Sequence, residues 1–271
     1  KVPADKIWAA QTQRSHENFE IGVNIETMPR EITPAFGLLK KAAAQANAKL
    51  RPEKMTQEKL NAICGACDEV ISGALNDNFP LVVWQTGSGT QSNMNANEVI
   101  ANRGNEIAGN KILHPNDDVN MSQSSNDTFP TAMHIAAVLM LEDKLIPAAN
   151  TLIDTFKRLE KENEGIVKSG RTHLQDATPI TFSQEISGWR SSLERDVELL
   201  TRSIEPLCEL ALGGTAVGTG LNASDGFGEV VAEKVAELTG KPFVTASNKF
   251  HALTSKDEIV FAHGAIKALA A

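Results

Sequence analysis

Apolar residues along this chain recur mostly at spacings of three and four, the period of a helix packed on one side. The stretches Phe36 to Leu50 and Thr56 to Leu75 are rich in Ala, Leu, Lys and Gln and predict two helices, and Asn95–Ala108 predicts a third. From Thr131 to about Leu145 the chain is apolar nearly all round, which predicts a helix buried in a bundle; Glu142, Asp143 and Lys144 leave it too short to cross a membrane. Leu141, Leu145, Leu152, Phe156 and Leu159 continue the pattern, with a kink predicted at Pro147. The longest seam is Ile186, Trp189, Leu193, Val197, Leu200, Ile204, Leu207 and Ala211, opened by Thr181-Phe182-Ser183-Gln184, which fits a capping box. It predicts one helix running to Gly213-Gly214. Residues 1–30 read as mixed and loop-like, and Leu81-Val82-Val83-Trp84 as a short extended piece.

Between the helices lie polar stretches that are long for simple connections, and such stretches tend to carry function. Gln85–Asn95 contains Ser88-Gly89-Thr90: its glycines let the backbone approach a ligand, and its hydroxyls and amides are neutral donors suited to a carboxylate. No Gly-Lys-Ser/Thr follows, so it is not a nucleotide loop; an ordinary turn before a helix fits the local pattern equally well. His114–Asp127 has almost no apolar residues, and its Ser124-Ser125-Asn126 runs into a helix with Pro130 in the first turn, a second anion-ready terminus. Gly170–Pro179 sets Thr172 and His173 ahead of the long helix. There a group titrating near neutrality would sit beside free backbone N–H groups, although a capping loop with an incidental histidine accounts for the same residues. The clearest domain boundary falls near residue 123, between residues 1–123 and 124–271.

Composition narrows the classes. The 271 residues are 41% hydrophobic and 22% charged, as in a globular protein, and the net charge of −8 without basic clusters argues against a nucleic-acid partner. Three cysteines and no apolar run of spanning length point away from a secreted or membrane protein. Cys64 and Cys67 form C-x-x-C inside a helical pattern with no second ligand pair, so they read as buried helix cysteines rather than a metal site. Lys1 is no initiator Met, and Ala271 ends the apolar run Ile259–Ala270 without a stop signal, so a longer native polypeptide is expected.

Together the segments Gln85–Asn97, His114–Asp127, Gly170–Pro179 and Ala211–Asn222 resemble those of the class II fumarases, iron-free members of the fumarase/aspartase superfamily, and the similarity runs over essentially the whole chain. The resemblance implies a mainly α protein: a mixed N-terminal domain followed by a central domain of long helices, incomplete here, that packs into a homotetrameric helical bundle. It implies reversible hydration of fumarate to L-malate, a step of the tricarboxylic acid cycle, without metal or other cofactor. No nucleic-acid or membrane partner is implied, and the location would be cytoplasmic, or the mitochondrial matrix in a eukaryote. By the same resemblance His173 is the proton donor and acceptor beside the reacting water, and Thr172 contacts substrate. Ser88, Gly89 and Thr90 form one substrate loop and Ser124, Ser125 and Asn126 the other. His114, Pro115, Asn116 and Asp117 form an accessory dicarboxylate site, and three subunits contribute to each active site.

An ammonia-lyase of the aspartase type shares the fold, but that branch resembles Thr-Gln-Leu-Gln where this chain has Thr172-His173-Leu174-Gln175, and Ser-Thr-Asn where it has Ser124-Ser125-Asn126. A non-catalytic lens-crystallin-like protein on the fold is the other alternative. The family's Met-Pro-x-Lys-x-Asn-Pro loop, with the serine base for the carbon proton and a substrate lysine, does not occur in these residues, nor does the glutamate partner of the histidine. Residues 1–271 alone are therefore expected to be inactive.

Overall fold

The computed structural model describes residues 1–271. It is mainly helical and divides into two compact units. The first comprises residues 1–136 and 208–256, the second residues 137–207 and 257–271. No helix is long and apolar enough to cross a membrane.

In the first unit the early helices are α1 (Ala10–Asn18), α2 (Ile32–Leu50), α3 (Gln57–Ile71) and α4 (Thr90–Ala108). The Ala-rich α2 buries Ala35, Ala42, Ala43, Ala44 and Ala46 with Phe36 and Leu39 and packs against both α3 and α9 (Phe227–Thr239). Burying its small side chains lets neighbouring backbones approach closely, and the apolar area removed from water contributes about 25 cal/mol per Å². The N-terminal segment, which forms α1, is anchored chiefly by one carboxylate. Buried Glu98 of α4 accepts from the backbone N–H groups of Ala9, Gln11 and Thr12 (2.8–3.0 Å) and from Thr12 Oγ1 (2.6 Å), which satisfies the otherwise unpaired donors at the start of α1. Of the extended piece expected at 81–84 only Val82 forms a bridge, antiparallel to Thr27, while Val83 and Trp84 are bends.

Helix α5 (Ser125–Met140) begins six residues earlier than the apolar pattern suggests, because Ser124 caps it. The Ser124 hydroxyl accepts from Asn126 N (3.2 Å), and Asp127 Oδ1 accepts from Ser124 N (2.9 Å), a reciprocal cap that the polar residues themselves supply.

The second unit is built on α6 (Ile146–Glu162) and α7 (Phe182–Arg202). Trp189 and Phe156 meet as tilted rings with centroids 6.1 Å apart, Arg190 pairs with Glu160 at 2.7 Å and Lys157 with Glu194 at 3.9 Å. The earlier Lys157 pairs with the later Glu194 and the later Glu160 with the earlier Arg190, so the two helices run antiparallel. They are joined by a two-stranded antiparallel hairpin, β1 (Val167–Thr172) and β2 (Gln175–Thr181). Thr181 caps α7 with the expected capping box: its side chain accepts from Gln184 N, and Gln184 Oε1 accepts from Thr181 N (2.9 Å). Helix α11 (Asp257–Leu269) packs on α7.

Three expectations need correction. Helix α4 begins at Thr90 rather than Asn95, so residues 90–95 of the expected loop are its first turns behind the Gly89 cap. The Ile186–Ala211 seam is not one helix: α7 stops at Arg202, a short α8 covers Ile204–Leu207, and Glu209–Leu210 form β3, parallel to β4 (Val244–Thr245). Pro206 is the reason, since its ring would strike the carbonyl of Arg202 four residues back. Pro147 does not interrupt a helix: it sits in the first turn of α6, and the irregularity is a π turn at Leu141–Leu145 just before it.

Candidate active site

Two polar loops come together at helix N-termini in the first unit. In the first, Gly89 is the left-handed cap of α4 (φ 71°), and a Cβ there would lie 2.1 Å from Cγ of Phe129 in α5. Only glycine satisfies both the backbone and the contact. Flanking it, the exposed Ser88 and Thr90 hydroxyls lie 3.0 Å apart, and Gln85 Oε1 accepts from Ser92 N (3.0 Å) inside the first turn. In the second loop, Ser124 caps α5, Ser125 is half-buried and Asn126 is exposed. The loops are tied together by Asn93 of α4, whose Nδ2 donates to Ser125 Oγ at 2.9 Å.

We expect Gly89→Ala in the full-length protein to lower stability by about 2–4 kcal/mol, the sum of left-handed strain and overpacking against Phe129. Thermal unfolding checks it, and an unchanged midpoint would refute the contact.

Below the loops are two buried ionisable groups that the sequence reading missed. Lys40 is wholly buried, and its Nζ donates to Asn93 Oδ1 (2.7 Å), Asn120 Oδ1 (2.9 Å) and Gln123 Oε1 (2.9 Å). Burial pushes its amine down to about 7, against the pull of Asp127 and Cys67. Three oxygens at these distances take three N–H groups, so the cage suits the ammonium form. Asp127, also buried, accepts from Ser124 N through Oδ1 and from Gly213 N (3.1 Å) and Thr215 N (2.8 Å) through Oδ2. Burial pushes its carboxyl up to about 6, with those three N–H groups and Lys40 opposing. Asp127 thereby ties the second loop to the glycine-rich turn at 213–216, and Asn126 Nδ2 adds a bond to Ala216 O (2.8 Å). The signal for Lys40 was present in the sequence: it falls with Phe36, Leu39, Ala43 and Asn47 on the apolar face of α2, where a charge needs partners.

His114 starts a π turn (Pro115–Val119) in the first unit. Its Nδ1 accepts from Asp117 N (3.3 Å), and its own N–H donates to Asp118 Oδ2 (2.7 Å), while Lys59 pairs with Asp118 at 2.6 Å. Asn116 and Asp117 line an open cleft of about 710 Å³ together with the cations Arg51, Lys54 and Lys59. These cations were not singled out from the sequence because they are scattered over α3 and the turn before it.

Thr172 and His173 belong to the second unit, and here the expected surroundings are wrong. His173 does not sit beside the start of α7. It and Leu174 are the two-residue turn of the β1–β2 hairpin, both left-handed (φ 50° and 62°), with Thr172 paired to Gln175. Thr181 pairs with Val167 at the opposite end, about 20 Å away at strand rise. The hairpin is bulged at Gly170, where a Cβ would lie 2.5 Å from Thr178 O. Its tip projects fully, Leu174 being 96% exposed. Turns of this shape ordinarily use Asn-Gly, so their absence hides the hairpin from a sequence reading.

Cys67 is buried and Cys64 half-buried in α3, with both thiols pushed up chiefly by burial, as inert helix cysteines should be.

The family model described as Lyase matches residues 1–271. Among curated proteins, the chain is 61% identical to fumarate hydratase class II of Bacillus cereus, with 100% of this chain and 59% of that protein covered. It is 58% identical to the protein of the same name from Campylobacter jejuni, with the same coverage. Among solved structures it superposes on a class II fumarase from Schistosoma mansoni with a TM-score of 0.95 at 39% identity, covering 99% of this chain and 60% of that one. It also matches a fumarate lyase:delta crystallin from Brucella melitensis, crystallised with cobalt, with a TM-score of 0.92 at 38% identity, covering 99% of this chain and 59% of that one. The chain thus spans about 59% of the length of the curated relatives it matches. With the model matched from its first residue to its last, the chain belongs to the lyase family, among relatives named class II fumarate hydratase.

Proposed function

We propose that the full-length protein to which this chain belongs is a fumarate hydratase, adding water reversibly to fumarate to give L-malate. The observation that carries the reading is the meeting of Ser88-Gly89-Thr90 with Ser124-Ser125-Asn126 at two helix starts joined by the Asn93–Ser125 bond, in a chain whose relatives carry that name. Removing a proton next to a carboxylate is hard unless the enediolate is stabilised, and preorganised donors aimed at one carboxylate supply several kcal/mol. Neutral hydroxyls, amides and helix N–H groups do this without a fixed charge.

In this reading Thr172 contacts substrate, and His173 passes the water proton either way, worth about 10²–10⁴ in rate. The hairpin of one subunit meets the loops of others in a homotetramer. Residues 1–123 form the N-terminal lyase domain and 124–271 the first part of the central bundle. The proposal assigns no metal or cofactor, and places the enzyme in the tricarboxylic acid cycle of the cytoplasm or, in a eukaryote, the mitochondrial matrix.

Loss of fumarate absorbance by the full-length protein, with L-malate as product, tests it. Fumarate release from L-aspartate without malate conversion would transfer the protein to the aspartase branch, and inactivity on both substrates would favour a structural protein.

His114, Pro115, Asn116 and Asp117 take the role of the accessory dicarboxylate site, supported by Arg51 and Lys54 in the cleft that Asn116 and Asp117 line, where Lys59 is paired with Asp118 and Glu53 is a further carboxylate. His114→Asn is accordingly expected to change turnover by no more than a few-fold, far less than His173→Asn. Equal losses from the two substitutions, measured in steady state, would mean that the roles are reversed.

A further inference from the structure

We propose that Lys40 is a positioning residue that sets the direction of hydrogen bonding into the second substrate loop, so that Ser125 offers its hydroxyl proton, rather than a lone pair, to the bound carboxylate. The inference rests on reading Ser124–Asn126 as a carboxylate-binding loop.

An amide side chain can face either way, and only its partners decide which end is O and which is N. Lys40 removes the ambiguity because an ammonium donates three bonds and accepts none. Its cage is made of three amide oxygens, from Asn93, Asn120 and Gln123. Each amide must therefore turn its nitrogen outward. Gln123 Nε2 donates to Val119 O (3.1 Å) and Met121 O (2.9 Å), and Asn120 Nδ2 reaches Gln123 O (3.4 Å), which fastens the chain leading into the loop. Asn93 Nδ2 donates to Ser125 Oγ and, at 3.2 Å, to Asn120 Oδ1. With a donor already on its oxygen, Ser125 keeps its own O–H for an outside acceptor. The relay Lys40 to Asn93 to Ser125 thus points donors at the site from a fully buried cation. Bonds polarised in series strengthen one another where water is excluded.

A buried lysine that served packing alone would affect folding but would not couple specifically to one hydroxyl. The test is a double-mutant cycle in the full-length protein with K40M, S125A and N93D. K40M is expected to lower kcat/KM for fumarate by about 10- to 100-fold, the range for one hydrogen bond to a charged group. In the S125A background the same change is expected to add less than about twofold, because the hydroxyl it directs is gone. N93D keeps an acceptor for Lys40 but replaces the donor to Ser125, so it should retain the wild-type melting temperature within a few degrees while losing kcat/KM as K40M does. If K40M does not fold, N93D alone decides. Additive losses in the cycle, or wild-type kcat/KM in N93D, would overturn the inference while leaving the hydratase reading intact. A wild-type protein that neither hydrates fumarate nor binds fumarate in a calorimetric titration would overturn that reading and this inference together.

Discussion

His173→Asn in the full-length protein is expected to lower kcat by about two orders of magnitude or more while leaving the fold unchanged. The loss follows from the proposed role, since an asparagine cannot relay a proton, and general acid–base groups contribute about 10²–10⁴. The preserved fold follows from the hairpin. Holding a non-glycine residue left-handed costs roughly 1–2 kcal/mol, and His173 and Leu174 are both held so. Asparagine is among the side chains that tolerate this conformation best, so the substitution suits the turn as well as histidine does. Steady-state kinetics with circular dichroism distinguish the outcomes. Activity within a few-fold of wild type, with an unchanged spectrum, would remove His173 from the mechanism.

A polypeptide of residues 1–271 alone is expected to show malate formation at background and to run larger than a monomer on a sizing column. The proposed chemistry needs a base for the carbon proton, an acid/base for the water and donors for the enediolate. By resemblance the base belongs to a Met-Pro-x-Lys-x-Asn-Pro loop that these residues lack, and groups that act as a unit fail together. Association follows from the second unit. Trp189, Leu199, Val260, Phe261 and Ile266 are each 39% or more exposed. Beside them Met140, Leu141, Leu145, Ile259 and Ile266 line an almost wholly apolar groove of about 650 Å³. Exposed apolar surface of that kind drives association in water. Measurable turnover by a clean preparation would overturn the assignment of the base to that loop.

Much of this protein was legible in its sequence, for reasons that are local. Helical periodicity placed α2 and α3 and showed that α4 and α7 exist, though not where α4 begins or α7 ends, because a one-sided apolar stripe is what a packed helix requires. The capping box at Thr181 was readable because all its partners lie within four residues. The polar loops stood out because hydroxyls, amides and glycines in sequence already define a set of neutral donors, and the structure brings two of them together through Asn93 and Ser125. Tertiary structure decided what depends on distant partners. Lys40 reads as one more helix cation until Asn93, Asn120 and Gln123 close around it from 53 to 83 residues away. Asp127 is only the end of a polar run in the sequence, whereas in the fold it accepts from Ser124 N and from the turn at 213–215. The β1–β2 hairpin was hidden because its tip breaks the usual turn chemistry, and strand pairing, unlike a helix, gains its bonds only from the opposite strand. The place of His173 at the exposed tip, rather than at a helix start, was settled by that pairing.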